Sequence, residues 1–356
     1  MSGLGSAPHS GSLSTLSIPL NSRERDGWII SRPEDLTWFI GPAFVSYTAL
    51  ALMAGGFPLT PLYLVWLIGI DGPHVVATVT RTYFDNNARR KMGRLLWVVV
   101  PAMALGPLMV VGGAENLFYM FAVSWLHFHI AKQHFGFVML YKHKAGERDR
   151  TDFLLDRWFL LTSLMLPFAR FLVKSDFAIL PTLPMVRGLD AVLLVLYGCF
   201  AAIFVLRQLY KWKGGRPLNR PKLLLMAAII PLQWLAFRYA GTTLVDGMTR
   251  AGIILGLFHS FQYHRLMWFH NRNHYADPQF ETTAGLAATL ARRFIYYFGA
   301  AVLLNLVLAY LPSHLAPGPF VKAALWGIPF THYILDSKIW RVRGNKELAA
   351  ALRLGG

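Results

Sequence analysis

The sequence predicts an all-α fold, a polytopic membrane helix bundle of about ten transmembrane helices with both termini in the cytoplasm. Hydrophobic residues make up 55% of the chain and charged residues only 15%. Apolar runs of about 20 residues, the length that crosses the hydrocarbon core of a bilayer, recur along it. Basic residues gather in alternate short loops, as the positive-inside rule expects for cytoplasmic loops.

The chain divides into a tail, a membrane domain and a second tail. Residues 1–33 are rich in Ser, Gly and Pro and lack the basic start and apolar core of a signal peptide, so we expect a disordered cytoplasmic tail. Residues 34–343 form the transmembrane domain, and residues 344–356 a cytoplasmic C-terminal tail. The spans are expected at about 36–55, 59–81, 95–111, 116–141, 153–173, 189–206, 223–239, 248–269, 294–311 and 320–340.

Loop charge sets the predicted orientation. Basic clusters follow the second, fourth, sixth, eighth and tenth spans, for example Arg89-Arg90-Lys91 and Arg341 with Arg343, whereas the opposite loops are short and nearly uncharged. The net charge of +17 is therefore attributed to membrane orientation, and nucleic acid is not expected as a partner. We expect an integral protein of a bacterial cytoplasmic membrane that contacts membrane lipids.

Two smaller features of the sequence are its single cysteine and a polar stretch between the eighth and ninth spans. Cys199 is the only cysteine, so no intramolecular disulfide forms, and thiolate or iron–sulfur centres are excluded. It lies in an apolar run, and we expect a buried, inert thiol. The stretch 277–293 is too polar to span the bilayer and is expected to lie along the interface as an amphipathic helix.

The fourth span carries the most informative stretch, residues 125–136, with His127, His129 and His134. Ionisable groups at bilayer depth are costly and mark functional sites by default. Imidazole is also the commonest side-chain ligand for transition metals. No more than two of the three imidazoles are expected to reach one ion, because residues on different helix faces diverge.

Histidines on other spans point to the same place. Every intramembrane histidine falls on the second, fourth, eighth or tenth span, which all run from outside to inside. His74, His129, His264 and His332 each lie roughly 13 to 16 residues from the outer end, and at 1.5 Å per residue these depths agree to within a turn. We therefore predict convergence around a metal, with the candidate ligands His74, His127, His129, His134, His259, His264, His332 and Asp336. For His127 and His259, a hydrogen-bonded core role is an equal alternative.

Polar residues at helical spacing are expected around those ligands. Asp71, His74, Thr78, Arg81 and Asp85 follow one face of the second span and must face protein or a water-filled cavity. Asp71 is expected to orient His74 as a supporting carboxylate. An ion or proton path along this face is the alternative. The predicted supporting residues are Asp71, Thr78, Arg81, Gln133 and Gln262.

An imidazole-rich site with a carboxylate suits iron, copper or zinc. Within a membrane the accessible substrate is a lipid or isoprenoid, whose inert carbon chain favours non-haem iron and dioxygen. We therefore expect an oxidoreductase or oxygenase with one or two iron ions, a hydrophobic substrate and, if the reaction needs one, an electron-donor partner. The alternatives are a haem-binding membrane protein and a proton or ion transporter.

Two short motifs resemble those of a known family. Asp71-Gly72-Pro73-His74 and His134-Phe135-Gly136 are similar to signatures of the Brp/Blh family of bacterial membrane proteins, which includes beta-carotene 15,15'-dioxygenases. The resemblance covers only these pieces. It implies a multi-span fold and a histidine-bound iron, with His74 and His134 among its ligands and further histidines from later spans. It does not establish carotenoid as the substrate.

Overall fold

A computed structural model describes residues 27–175, 184–241 and 243–354, and within these ranges all regular structure is helical. The first part of the predicted N-terminal tail, residues 1–26, lies outside them. The helices, in chain order, are α1 Arg32–Ala54, α2 Leu59–Thr82, α3 Asn86–Val111, α4 Glu115–Lys144, α5 Arg150–Lys174, α6 Pro184–Lys213, α7 Arg220–Arg238, α8 Leu244–His274, α9 Pro278–Thr283, α10 Leu286–Leu290, α11 Phe294–Leu315, α12 Pro319–Leu325, α13 Gly327–Ile339 and α14 Lys346–Ala351.

Six of these helices are long and apolar enough to cross a membrane: α1, α2, α3, α6, α7 and α11. The fold is therefore consistent with an integral membrane protein. The count of ten spans and the cytoplasmic termini stay predictions. Helices α4 and α8, which carry histidines, are long enough but not among the six, and the predicted tenth span is divided at Trp326 between α12 and α13.

Proline residues widen three of the helices locally. Wide-turn π segments at Leu36–Ile40, Val65–Asp71 and Leu306–Tyr310 each come one or two residues before a proline. Proline has no N–H and its ring crowds the carbonyl four residues back, so the turn before it opens. In α2 this happens at Gly72-Pro73, directly before His74.

Gly72 is required at that position by a close approach of α11. Asn305 donates from Nδ2 to the carbonyl of Leu67 at 3.0 Å. A Cβ on residue 72 would clash with both the Asn305 amide and the Leu67 carbonyl. The Gly-Pro-His element therefore lets α11 pack closely against the widened turn of α2. This contact fixes the start of the next helical segment, whose first turn contains His74.

Helix α8 is the central element, and it packs against α1, α2, α4 and α7. Most of its length is buried, including the run 251–260. Helix α6, in contrast, lies at the outside of the bundle. Only 6% of its most apolar 18-residue stretch is buried, and it packs chiefly on α5. Cys199 lies on α6 and is exposed, so the prediction of a buried thiol is wrong. The reason is that a long apolar helix on the outside of the bundle exposes most of its residues.

Two segments outside the spans also have defined structure. The stretch 277–293 contains two short helices, α9 and α10, instead of the one amphipathic helix expected; Ala287 and Ala288 pack against Tyr275. The C-terminal segment contains α14, whose Leu348, together with Leu352 and Leu354, is buried in the main apolar core.

Candidate metal centre

Three histidines from three helices converge in the interior. His74 of α2, His129 of α4 and His332 of α13 each offer a ring nitrogen, and these nitrogens lie within 4.8 Å of one another. The Nε2 atoms of His74 and His332 are 2.9 Å apart. Two nitrogens that each lie about 2.1 Å from one metal ion at a right angle are about 3 Å apart. The spacing therefore fits a shared ion.

A fourth imidazole, that of His259 on α8, borders this group. Its ring centroid is 4.5 Å from that of His74 and 5.2 Å from that of His129. The convergence of α2, α4, α8 and α13 matches the four spans that the sequence singled out, but α8 contributes His259 in place of His264.

Several ring nitrogens of this group have no hydrogen-bond partner among the described residues. They are Nδ1 of His74, Nε2 of His129 and Nδ1 of His259, all buried. A buried polar atom without a partner costs roughly 1–3 kcal/mol, and such atoms are rare in native structures. A bound cation at the centre would give Nε2 of His129 a partner, so this nitrogen fits a metal ion, whereas Nδ1 of His74 belongs to a ring whose Nε2 already faces His332.

A hydrogen-bonded chain behind His332 fixes the orientation of that ring. His332 donates from Nδ1 to Thr78 Oγ1 at 2.6 Å, and Thr78 donates to Asp336 Oδ1 at 3.0 Å. Tyr263 also donates to Asp336 Oδ1 at 3.0 Å. This chain assigns the proton to Nδ1 and leaves the Nε2 lone pair aimed at His74, which is how metal-ligating histidines are commonly held.

Asp336 therefore lies behind His332 and not beside the converging nitrogens. Its Oδ1 is 3.6 Å from His332 Nδ1, the ring atom that points away from the centre. The predicted ligand role is replaced by a supporting one, because residues four apart on one helix face place the carboxylate a full turn below the imidazole.

His264 and His127 lie elsewhere and have protein partners. His264 donates from Nε2 to the carbonyl of Ile70 and accepts from the Tyr297 hydroxyl at Nδ1, both at 3.0 Å. His127 donates to the carbonyl of Leu164 at 3.0 Å and stacks on Phe168. Both rings are already bound by protein groups, so the geometry supports hydrogen-bonded core roles and not the predicted ligation.

His134 is intermediate between the two groups. It donates from Nδ1 to the carbonyl of Ile130 at 2.9 Å, one turn earlier in α4, and its buried Nε2 has no partner among the described residues. Its ring is 6.4 Å from that of His259. His134 therefore lies next to His259, outside the three converging histidines.

The predicted supporting residues divide in the same way. Thr78 contacts His332 directly, and Gln133 donates to the backbone carbonyl of His259 at 2.8 Å. The other three bind other parts of the bundle: Asp71 accepts from Ser260, Arg81 donates to the Ile339 carbonyl and lies over Trp340, and Gln262 donates to the Phe39 carbonyl.

Two tyrosines at the centre were not anticipated. Tyr263 joins Thr78 and Asp336, and its ring lies 4.3 Å from that of His74. Tyr333 stacks on His129 with a centroid distance of 4.4 Å and an interplanar angle of 25°. The sequence contained a signal for Tyr263, which follows His259 by one helical turn. It contained none for Tyr333, because a residue directly after His332 points to a different face of the helix.

A second buried polar group lies where α4, α5, α6 and α7 meet. Here Lys142, Lys211 and Lys222 pair with Glu147, Asp152 and Asp156 at distances of 2.5–3.3 Å. Burial alone would raise the pKa of Glu147, but Lys222, Lys211 and Lys142 together lower it to about 2. In the sequence these lysines belong to the basic clusters after the fourth and sixth predicted spans, which indicated only orientation; in the structure they balance an equal number of carboxylates. We call this group the lysine–carboxylate cluster.

Comparisons with protein-family models, with curated proteins and with solved structures found no match for this chain.

Proposed function

We propose that this protein is a membrane-embedded, metal-dependent oxidoreductase of the oxygenase type that uses non-haem iron on a hydrophobic substrate such as a lipid or isoprenoid. The observation that carries the proposal is the convergence of the His74, His129 and His332 nitrogens to within 4.8 Å. The six helices that are long and apolar enough to cross a membrane support a location in a bilayer.

Iron is the proposed metal, and copper and zinc stay alternatives, because neutral imidazole binds all three. Thiolate ligation is not available, since Cys199 lies exposed on the peripheral helix α6. When bound, iron would supply the activation of dioxygen that an unreactive hydrocarbon chain requires. Three converging imidazoles support one ion.

The surrounding residues position and insulate the ligands. Thr78, with Asp336 and Tyr263 behind it, holds His332 with its Nε2 toward the centre. Gln133 ties the backbone at His259 to α4. His74 and His332 are nearly inaccessible to solvent, so water is excluded from the side of the centre that they form.

A haem site has less support. Two axial histidines must face each other across a flat macrocycle. Here the Nε2 atoms of His74 and His332 approach to 2.9 Å, and the rings of His259 and Tyr263 lie within 4.5 Å of that of His74. Side chains therefore fill the space that a porphyrin would need.

The resemblance to the Brp/Blh family contributes a proposed substrate class, isoprenoids including carotenoids. His74 of its first motif lies in the converging set, whereas His134 of its second motif lies one ring outward. We also propose that the chain resides in a bacterial cytoplasmic membrane with both termini in the cytoplasm, and that no nucleic acid is bound.

Oxygen labelling tests this function. The protein is reconstituted in lipid vesicles, loaded anaerobically with ferrous iron, given isoprenoids or unsaturated acyl lipids, and exposed to ¹⁸O₂. We expect products that carry the heavy isotope, and no products with His74→Ala protein. Iron-loaded protein that leaves every lipid of both substrate classes unlabelled, with and without ascorbate as an added electron donor, would contradict the oxygenase assignment. Proton flux in the same vesicles would then favour the transporter alternative.

A further inference from the structure

The converging histidines differ in exposure. His74 and His332 are 1% and 2% exposed, whereas His129 is partly exposed. His129 borders a face of α4 with four exposed residues, Phe121, Phe128, Lys132 and Gly136. They follow one another at intervals of seven, four and four residues, so they share one side of the helix. A bundle that suits a bilayer turns such a face toward lipid, and the centre is therefore least covered on the side of His129.

Aromatic side chains fill the seam between α4 and α13 beside this ligand. Trp125, one turn before His129, stacks on Phe330 of α13 at 4.9 Å and 18°. Tyr333 lies 5.8 Å from Trp125 and stacks on His129 itself. The seam is thus closed near the centre by stacked rings. Of these rings, Phe330 and Tyr333 are buried, whereas Trp125 is partly exposed and can change rotamer without breaking a helix.

We propose that this seam is a lateral gate, through which a hydrophobic substrate dissolved in the bilayer reaches the centre, with Trp125 as its moving side chain. The inference rests on the proposed function. An apolar molecule that approaches here stays out of water and meets His129 first. On the other sides, α2 and α8 bury His74, and the Thr78–Asp336–Tyr263 chain covers His332.

A matched pair of chelators tests the gate without measuring turnover. Iron-loaded protein in vesicles of neutral lipid is exposed to bathophenanthroline, which partitions into the bilayer, or to its disulfonate, which stays in water. The absorbance of the ferrous chelate reports the rate of extraction. We expect the apolar chelator to extract iron faster than its disulfonate. Trp125→Ala should raise the extraction rate of the apolar chelator, and not that of the disulfonate, by about two- to tenfold, the range that corresponds to the loss of one aromatic stacking pair.

Trp97→Ala is the control, because Trp97 is 71% exposed on α3 and contributes to no ring pair at the seam. Trp125→Leu, which keeps apolar bulk, serves if the alanine variant folds poorly. Equal acceleration of both chelators, or no acceleration of the apolar one, would overturn the gate.

A preparation that retains no metal would instead overturn the proposed function, and the seam is then tested by a second measurement. An apolar diazirine photolabel in the same vesicles should modify His129 or Tyr333 more in Trp125→Ala than in Trp97→Ala protein, as read by peptide mass spectrometry. Unchanged labelling at both residues would contradict a lateral gate.

Discussion

The histidine centre and the lysine–carboxylate cluster are both buried polar groups, but they are completed differently. In the cluster, three lysines face three carboxylates, and both Lys142 and Lys222 contact Glu147 as well as Asp156. In the centre, His74, His129 and His259 keep ring nitrogens without partners among the described residues. The charges of the cluster are nearly all paired within the protein, whereas the centre keeps buried nitrogens that the described residues leave unpaired.

This difference separates a structural role from a functional one. A buried charge is tolerated when opposite charges and hydrogen bonds satisfy it, and removal of one partner then exposes the full cost of the other. Unpaired imidazole nitrogens destabilise the fold unless a ligand binds them. We therefore expect changes in the cluster to affect stability and changes at the centre to affect metal binding.

The largest effect is expected at the cluster. Lys222→Ala leaves Glu147 and Asp156 short of a buried cation, and breaking such a pair typically costs about 3–5 kcal/mol. Unfolding in detergent, followed by circular dichroism, measures the loss. Lys91→Ala is the control, because the Lys91–Glu347 pair is exposed and such pairs contribute about 0–1 kcal/mol. Similar losses in the two variants would remove the distinction between buried and surface pairs.

A smaller effect is expected behind His332. Thr78→Val removes the hydroxyl that orients the ring, and loss of such supporting partners commonly lowers metal affinity about 10- to 100-fold. Competition with a metal-sensitive dye measures the affinity. Thr82→Val is the matched control, since Thr82 lies one turn later in α2 and bonds only the Thr78 carbonyl. If both variants bind metal like the unmodified protein, the chain behind His332 does not support a ligand.

The smallest effect is a pH dependence of the cluster. The pKa of Glu147 is lowered in the fold to about 2 from an ordinary value of 4.5. A lowered pKa means that the contribution of Glu147 to stability is complete above pH 4.5 and is lost as the pH falls toward 2. Glu147→Gln should flatten the fall in unfolding midpoint across this window. An unchanged slope would place the acid sensitivity on other carboxylates.

Much of the centre was predictable because depth along a helix can be counted. His74, His129 and His332 were expected at one level, and the structure brings them together. The rotation of each helix about its own axis was not predictable, since tertiary packing sets it. In α8, Gly256 lies against Trp66 and Ser260 bonds Asp71, which turns His259 toward His74 and His264 toward Tyr297.

The all-helical fold followed from composition and apolar runs, but the role of charges did not. The sequence alone indicates only loop charges at Lys142, Lys211 and Lys222. Their partners lie on another helix, and no short-range pattern links the lysines to them. Cys199 shows the same limit in reverse. An apolar neighbourhood in sequence does not distinguish a helix inside the bundle from one at its edge.

The proposed histidine-bound metal centre is tested most directly by the metal content of three purified proteins. Elemental analysis and an absorption spectrum measure it. The unmodified protein should hold about one iron per chain without a Soret band, and His332→Ala should lose it. His127→Ala removes an equally buried imidazole that bonds Leu164 instead, and it should keep the iron. Equal metal content in all three proteins, or a Soret band in any of them, would contradict a histidine-bound non-haem centre at His74, His129 and His332.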